Sequence, residues 1–299
     1  MFELIGCPLH LGVSNEGLKD GIQALNRRFP ELSIRLIPEI ILPEDNLPNL
    51  KNLNSVAASC REIARETDRV IQSGNIPLFI GGDHSSAMGS VSGSAVNHRG
   101  MGLLWIDAHS DINTDVSTLT GNIHGMPVSA LMGFGNETLC GIYSERLPSP
   151  ELPKILPQHV VLYGVRDMDP LEVEIVERLG VRTYSYEEIQ RRGQEECLRE
   201  VAEYLSECPC IHVSFDLDGM DPQEIKGVSV PVPGGFHEED VFFQFAWLQS
   251  HCRIGAVDIV EYNPALDSDG MTGDFVDRLI HRIIGSVSDD EGRFHGSGL

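Results

Sequence analysis

The sequence predicts a single α/β domain in which a mostly parallel, doubly wound sheet is covered by helices on both faces. Short apolar runs alternate with longer amphipathic stretches along the whole chain, the pattern of strand–helix units. Several runs are continuously apolar over four to six residues, as strands buried on both faces should be. No linker or internal repeat interrupts the 299 residues, a length that α/β proteins often fold as one unit.

Taken in order, strands are expected at 2–6, 34–37, 76–80, 102–106, 160–164, 181–184, 211–215 and 254–260. Helices are expected at 17–28, 54–73, 86–97, 171–179, 194–207, 238–250 and 275–284, where apolar residues recur at helical spacing. The domain is read as 1–287, and the polar, glycine-containing residues 288–299 as a frayed tail.

Bulk composition narrows the function. A hydrophobic content of 41% suits a large buried core. A formal net charge of −23 excludes nucleic acid and anionic membrane surfaces as partners, since both require a basic face. It suits a small cationic substrate, or simply a solvated acidic surface. No stretch of 18 apolar residues offers a membrane span, and residues 1–6 lack the basic start of a signal peptide. The seven cysteines are scattered, with only Cys208 and Cys210 close together, so they read as reduced thiols of a cytoplasmic protein.

Ligand-type residues gather behind four of the expected strands: Gly81-Gly82-Asp83-His84-Ser85, Asp107-Ala108-His109-Ser110-Asp111, Asp216-Leu217-Asp218-Gly219 and Glu261. Sites of open parallel sheets lie beyond the carboxyl ends of the strands, so these segments can converge. Alternation in Asp107-x-His109-x-Asp111 puts three ligand side chains on one side of an extended segment, and Asp216-x-Asp218 repeats the device. The glycine pair before Asp83 lets the backbone bend so that His84 points inward.

The expected metal ligands are therefore His84, Asp107, His109, Asp111, Asp216 and Asp218. Four buried carboxylates would repel one another, and two divalent cations neutralise them where one would leave two charges uncompensated. Carboxylate and imidazole without thiolate suit two Mn²⁺ ions. A water bridging such ions yields a hydroxide nucleophile. His124, in a glycine-flanked loop, is expected to shuttle a proton, the alternative being a structural hydrogen bond. Glu261 is placed to pair with a planar guanidinium, unless a protein arginine takes it.

These segments resemble the ureohydrolase (arginase/agmatinase) superfamily over nearly the whole chain, through GGDHS (81–85), DAHSDIN (107–113), SFDLDGMDP (214–222) and the glutamate of DIVEYNP (258–264). The resemblance implies the arginase-like fold, a three-layer domain with an eight-stranded sheet. It also implies two Mn²⁺ per subunit held by the same six positions, and a homo-oligomer, trimer or hexamer. Within the superfamily the chain looks most like the arginases. That likeness implies hydrolysis of L-arginine to L-ornithine and urea, the hydroxide attacking a guanidinium held by Glu261. Asp111 would take up the proton, and His124 would protonate the leaving amine. Asn113, Thr118 and Thr120 would reach the substrate α-carboxylate, and Asp169 and Glu172 its α-amino group.

One departure concerns the substrate. Where the family has a Gly-Thr-Gly-Thr-Pro type segment, this chain reads Gly227-Val228-Ser229-Val230-Pro231, and Val230 cannot supply the hydroxyl that would steady Glu261. Agmatinase, guanidinobutyrase and formimidoylglutamase are the neighbouring alternatives. A binuclear metallophosphoesterase is more distant, because the chain has neither a Gly-Asn-His-Asp/Glu segment nor a basic cluster for phosphate. A non-catalytic binding protein would have no need of the intact ligand set, His124 and Glu261 together.

Overall fold

The computed structural model describes residues 1–13, 15–43, 47–149 and 153–290, with 286–290 described by backbone alone. Eight strands, β1 (Phe2–Cys7), β2 (Arg35–Leu36), β3 (Ile76–Gly81), β4 (Gly102–Ile106), β5 (Val160–Val165), β6 (Arg182–Ser185), β7 (Ile211–Asp216) and β8 (Ile254–Val260), form one sheet. Its order is β2-β1-β3-β8-β7-β4-β5-β6, and every pair is parallel. The four strands followed by the ligand-type segments, β3, β8, β7 and β4, are consecutive in that order. Ile106 of β4 is in register with Phe215 of β7, and Ile80 of β3 with Ile259 of β8. Their carboxyl ends therefore open side by side.

The helices are α1 (Gly21–Arg28), α2 (Leu53–Gln72), α3 (Ala87–Asn97), α4 (Pro127–Leu131), α5 (Glu137–Cys140), α6 (Pro170–Leu179), α7 (Tyr186–Arg192), α8 (Gln194–Tyr204), α9 (Glu238–His251) and α10 (Met271–Asp290). On one face of the sheet, Ile80, Ile106, Tyr163, Phe215 and Ile259 pack with apolar residues of α1, α8, α9 and α10. On the other, Ile5, Phe79, Trp105 and Leu162 pack against α2, α3 and α4. This is the three-layer, doubly wound arrangement expected.

The differences from expectation are local. The helix expected over 17–28 begins as a 3₁₀ turn, Glu16–Asp20, before α1. The strand at 34–37 is reduced to β2 at the sheet edge. The helices α4, α5 and α7 were not anticipated; at four to seven residues they are too short to display a period. The tail expected from 288 overlaps α10, which runs to Asp290, and positions 291–299 lie outside the described residues. No helix among the described residues is long and apolar enough to cross a membrane.

Candidate metal centre

Backbone constraints come first. Gly82 packs against the loop after β1 so closely that a Cβ there would sit 2.0 Å from the Leu9 carbonyl oxygen. Its glycine is required by this contact and not by a left-handed bend, since Gly82 is not among the residues with positive φ. Asp83 fastens the same loop by accepting from Gly12 N at 2.7 Å, and caps the turn that presents His84 by accepting from Ser85 N at 2.9 Å. Asp111 (φ 49°) and Glu261 (φ 68°) both lie in the left-handed region, which costs a side-chain-bearing residue about 1–3 kcal/mol each. Surrounding structure holds them there: Glu261 N donates to Gly82 O at 2.7 Å, and Val128 N donates to Asp111 O at 3.0 Å.

The six expected ligands come together. His84 Nδ1 lies 2.9 Å from Asp107 Oδ2, 3.2 Å from Asp111 Oδ2 and 3.0 Å from Asp216 Oδ2. This nitrogen is buried and has no hydrogen-bond partner. His109 Nδ1 lies 3.4 Å from Asp107 Oδ1 and 3.2 Å from Asp218 Oδ2. Two clusters compatible with a metal ion result, His84–Asp107–Asp111 and Asp107–His109–Asp218. Asp107 belongs to both, one oxygen toward each histidine. Oxygen and imidazole donors with a buried nitrogen that has no hydrogen-bond partner at their focus fit a divalent cation.

Charge crowding supports the same reading. Burial first, then Asp218 and Asp107, pushes the Asp216 carboxyl well above its usual range. Burial and Asp107 raise Asp218 to about 7 and lift Asp111 as well. Burial opposes protonation of His84, but the surrounding carboxylates outweigh it and drive the imidazole well up. Groups whose protonation is favoured by such crowding are groups that a cation can relieve.

Partners that sequence reading passed over hold the ligands in place. Trp105 stacks on His84 with ring centroids 3.8 Å apart, and its Nε1 donates to Asp107 Oδ2 at 3.0 Å. The indole falls two residues before Asp107, the alternation that puts it on the same strand face. Arg166 donates to the carbonyl oxygens of Asp218, Gly219, Met220, Val232 and Pro233, tying the turn that carries Asp218 to the loop after Val230.

Above the cluster opens a cavity of about 220 Å³, whose lining includes His124, Asn113, Thr118, Thr120, Asp169 and Glu172. All five expected substrate-binding residues thus face one space, although their present partners differ. Asn113 Oδ1 accepts from Ser117 Oγ, and Thr118 Oγ1 accepts from Gly121 N at 3.0 Å. Thr120 Oγ1 accepts from Asn122 N at 3.1 Å. Glu172 is buried and bound on both oxygens: Ser110 Oγ donates to one at 2.7 Å and Asp169 N to the other at 2.8 Å. It thereby caps α6 and anchors the strand-end segment 110–112.

Glu261 Oε1 accepts from His84 N at 3.0 Å and lies 3.3 Å from His124 Nδ1. Burial disfavours a charged His124, but this carboxylate prevails and raises the imidazole to about 9. Glu261 Oε2 is buried with no hydrogen-bond partner. Val230 lines the cavity without a hydroxyl to offer, and the neighbouring Ser229 hydroxyl is engaged by Asn263 at 3.2 Å.

Comparison with known proteins agrees with this geometry. The model of the arginase family matches residues 2–285. The arginase of Bacillus subtilis is 35% identical, over 94% of this chain and 97% of its own. The native arginase structure from Bacillus caldovelox superposes with a TM-score of 0.86 at 34% identity, covering 95% of this chain and 98% of that one. The Entamoeba histolytica arginase, solved in complex with L-ornithine, superposes at 0.84 with 28% identity, again covering 95% and 98%. With its fold, its His/Asp cluster and these relatives in agreement, the chain belongs to the arginase family of hydrolases.

Proposed function

We propose that this protein is a binuclear manganese amidinohydrolase that converts L-arginine and water to L-ornithine and urea. The observation that carries the two-ion reading is Asp107, whose two oxygens face the two histidines of overlapping ligand clusters. His84, Asp111 and Asp216 would complete one half-site, and His109 and Asp218 the other. Two Mn²⁺ ions held there supply an acidified water able to attack a guanidinium carbon near neutral pH.

The chain's own residues do the rest. The buried, unpartnered Oε2 of Glu261 is an acceptor for a guanidinium N–H, and a planar donor group suits a carboxylate whose other oxygen is already fixed. Asp111, beside the reacting centre, accepts the proton of the attacking water. His124, held protonated at neutral pH by Glu261, donates to the departing amine. At the far end, Asn113, Thr118 and Thr120 offer side-chain donors to an α-carboxylate. Asp169 and Glu172 present negative charge to an α-ammonium, with Glu172 acting mainly through the segment it anchors.

That amino-acid-shaped arrangement, and the L-ornithine bound by the Entamoeba histolytica relative, favour arginine over guanidino compounds lacking an α-carboxylate. We further read the molecule as a cytoplasmic homo-oligomer with its domain over residues 1–287, in keeping with seven unpaired cysteines. Urea release from L-arginine by Mn²⁺-loaded protein tests the reading, with agmatine, 4-guanidinobutyrate and formimidoylglutamate alongside. Turnover of arginine above the others is expected. Turnover of another compound in its place would overturn the substrate, and turnover of nitrophenyl phosphate alone would overturn the class.

A further inference from the structure

A buried polar chain lies beneath the metal centre, built from residues the chemistry above does not use. β7 turns His212, Ser214 and Asp216 to the side opposite Val213 and Phe215, and all three are buried. Asp258 of β8 is in register with Ser214, fully buried as well. Two hydroxyls donate to Asp258 Oδ2, Ser90 at 2.8 Å and Ser214 at 3.1 Å, and His212 Nε2 lies 2.9 Å from the same oxygen. His212 is held in turn by Ser94 Oγ, 3.1 Å from its Nδ1. At the other end of the chain, Ser214 Oγ lies 3.0 Å from His84 Nε2.

The direction of these hydrogen bonds follows from chemistry. A carboxylate only accepts, so the single Ser214 proton goes to Asp258. Toward His84, Ser214 can then only accept, so Nε2 of His84 carries the imidazole proton. In the neutral imidazole that metal binding requires, this is the one N–H, and Nδ1 is left with a lone pair aimed at Asp107, Asp111 and Asp216. We infer that Asp258 is a positioning residue which, through Ser214, fixes the tautomer and orientation of His84 as an Nδ1 metal ligand. The inference rests on the two-ion reading above. Asparagine at 258 would break it without removing bulk: an amide N–H can donate to Ser214, the hydroxyl then turns its proton to His84 Nε2, and Nδ1 acquires the proton that faces the carboxylates.

The test titrates Mn²⁺ into metal-stripped parent, Asp258→Asn, Ser214→Ala and Ser90→Ala proteins by calorimetry, with bound metal counted after dialysis. Thermal melting without metal reports the fold. Asp258→Asn and Ser214→Ala are each expected to weaken one of the two ions by about 10–100-fold and to spare the other, as loss of an outer partner of a ligand does. Ser90→Ala, which removes a donor to the same oxygen off the path to His84, is expected to bind both ions like the parent. Parent affinity for both ions in Asp258→Asn would overturn the proposal, as would equal weakening of both in step with lost metal-free stability. If Asp258→Asn does not fold, Ser214→Ala decides, and two parent-strength ions there would overturn it. A parent that takes fewer than two ions would fail the two-ion reading itself, a different result from a parent with two ions and an unaffected Asp258→Asn.

Discussion

The two faces of β7 make opposite contributions. On one, Val213 and Phe215 are buried among α9 and α10 side chains in the larger apolar core, with Phe215 edge-on to Phe245. On the other, His212, Ser214 and Asp216 are buried just as deeply but among hydrogen-bond partners, ending in a crowd of carboxylates. The apolar face stabilises by removing surface from water, at about 25 cal/mol per Å². The polar face gains little net stability, because each group must replace the water it loses, and its carboxylates resist being charged together. A single strand thus separates what holds the molecule together from what makes it act.

Substitutions on the two faces should separate accordingly. The largest effect belongs to the polar side: Asp107→Asn, which touches both half-sites, is expected to lower kcat/KM by on the order of 10³-fold or more. Its metal-free melting temperature should fall as well, since Asp107 is the carboxyl that His109 and His84, against the cost of burial, hold well below its usual range, and both imidazoles lose that partner. Calorimetry and a urea assay on the same sample would check both halves. Phe215→Ala is the mirror case, with an expected loss of about 3–5 kcal/mol in denaturant unfolding. Its remaining folded fraction should retain two ions.

A subtler difference lies in pH. The Asp218 carboxyl is raised to about 7 by burial and by Asp107. A carboxyl whose folded pKa is raised contributes stability that is fully present below its unfolded value, about 3.9, and lost as pH rises through the folded one. Metal-free protein should therefore lose that contribution between about pH 4 and 7. Asp218→Asn should flatten the slope of stability against pH across this window, and an unchanged slope would contradict the assignment. Smallest is Val230→Thr, which would offer Glu261 a hydroxyl and is expected to raise kcat/KM by about fivefold, roughly 1 kcal/mol.

The sequence and the structure agree most where a pattern is local. Apolar runs mark the strands of the sheet centre, and the candidate ligands His84, Asp107, His109, Asp111, Asp216 and Asp218 stand out because each follows such a run. Convergence depended on strand order, which no local pattern encodes; the structure supplied it by placing β3, β8, β7 and β4 together. Short elements escaped for want of a period, as α5 did with four residues. His212 and Asp258 escaped for another reason: a strand buried on both faces reads as a core strand even when every second residue is polar, and their partners come from α3 and β7, far off in sequence. The partners of Glu172 were equally hidden, because a capping box and a substrate contact demand the same carboxylate.

Metal titration against activity addresses the central claim most directly. Metal-stripped protein would be titrated with Mn²⁺ while urea release from L-arginine is followed, with bound metal counted at each point. The two overlapping clusters joined at Asp107 predict that activity rises with metal and levels off at two ions per chain. Full activity at one ion per chain, or two bound ions without urea from arginine, would contradict it.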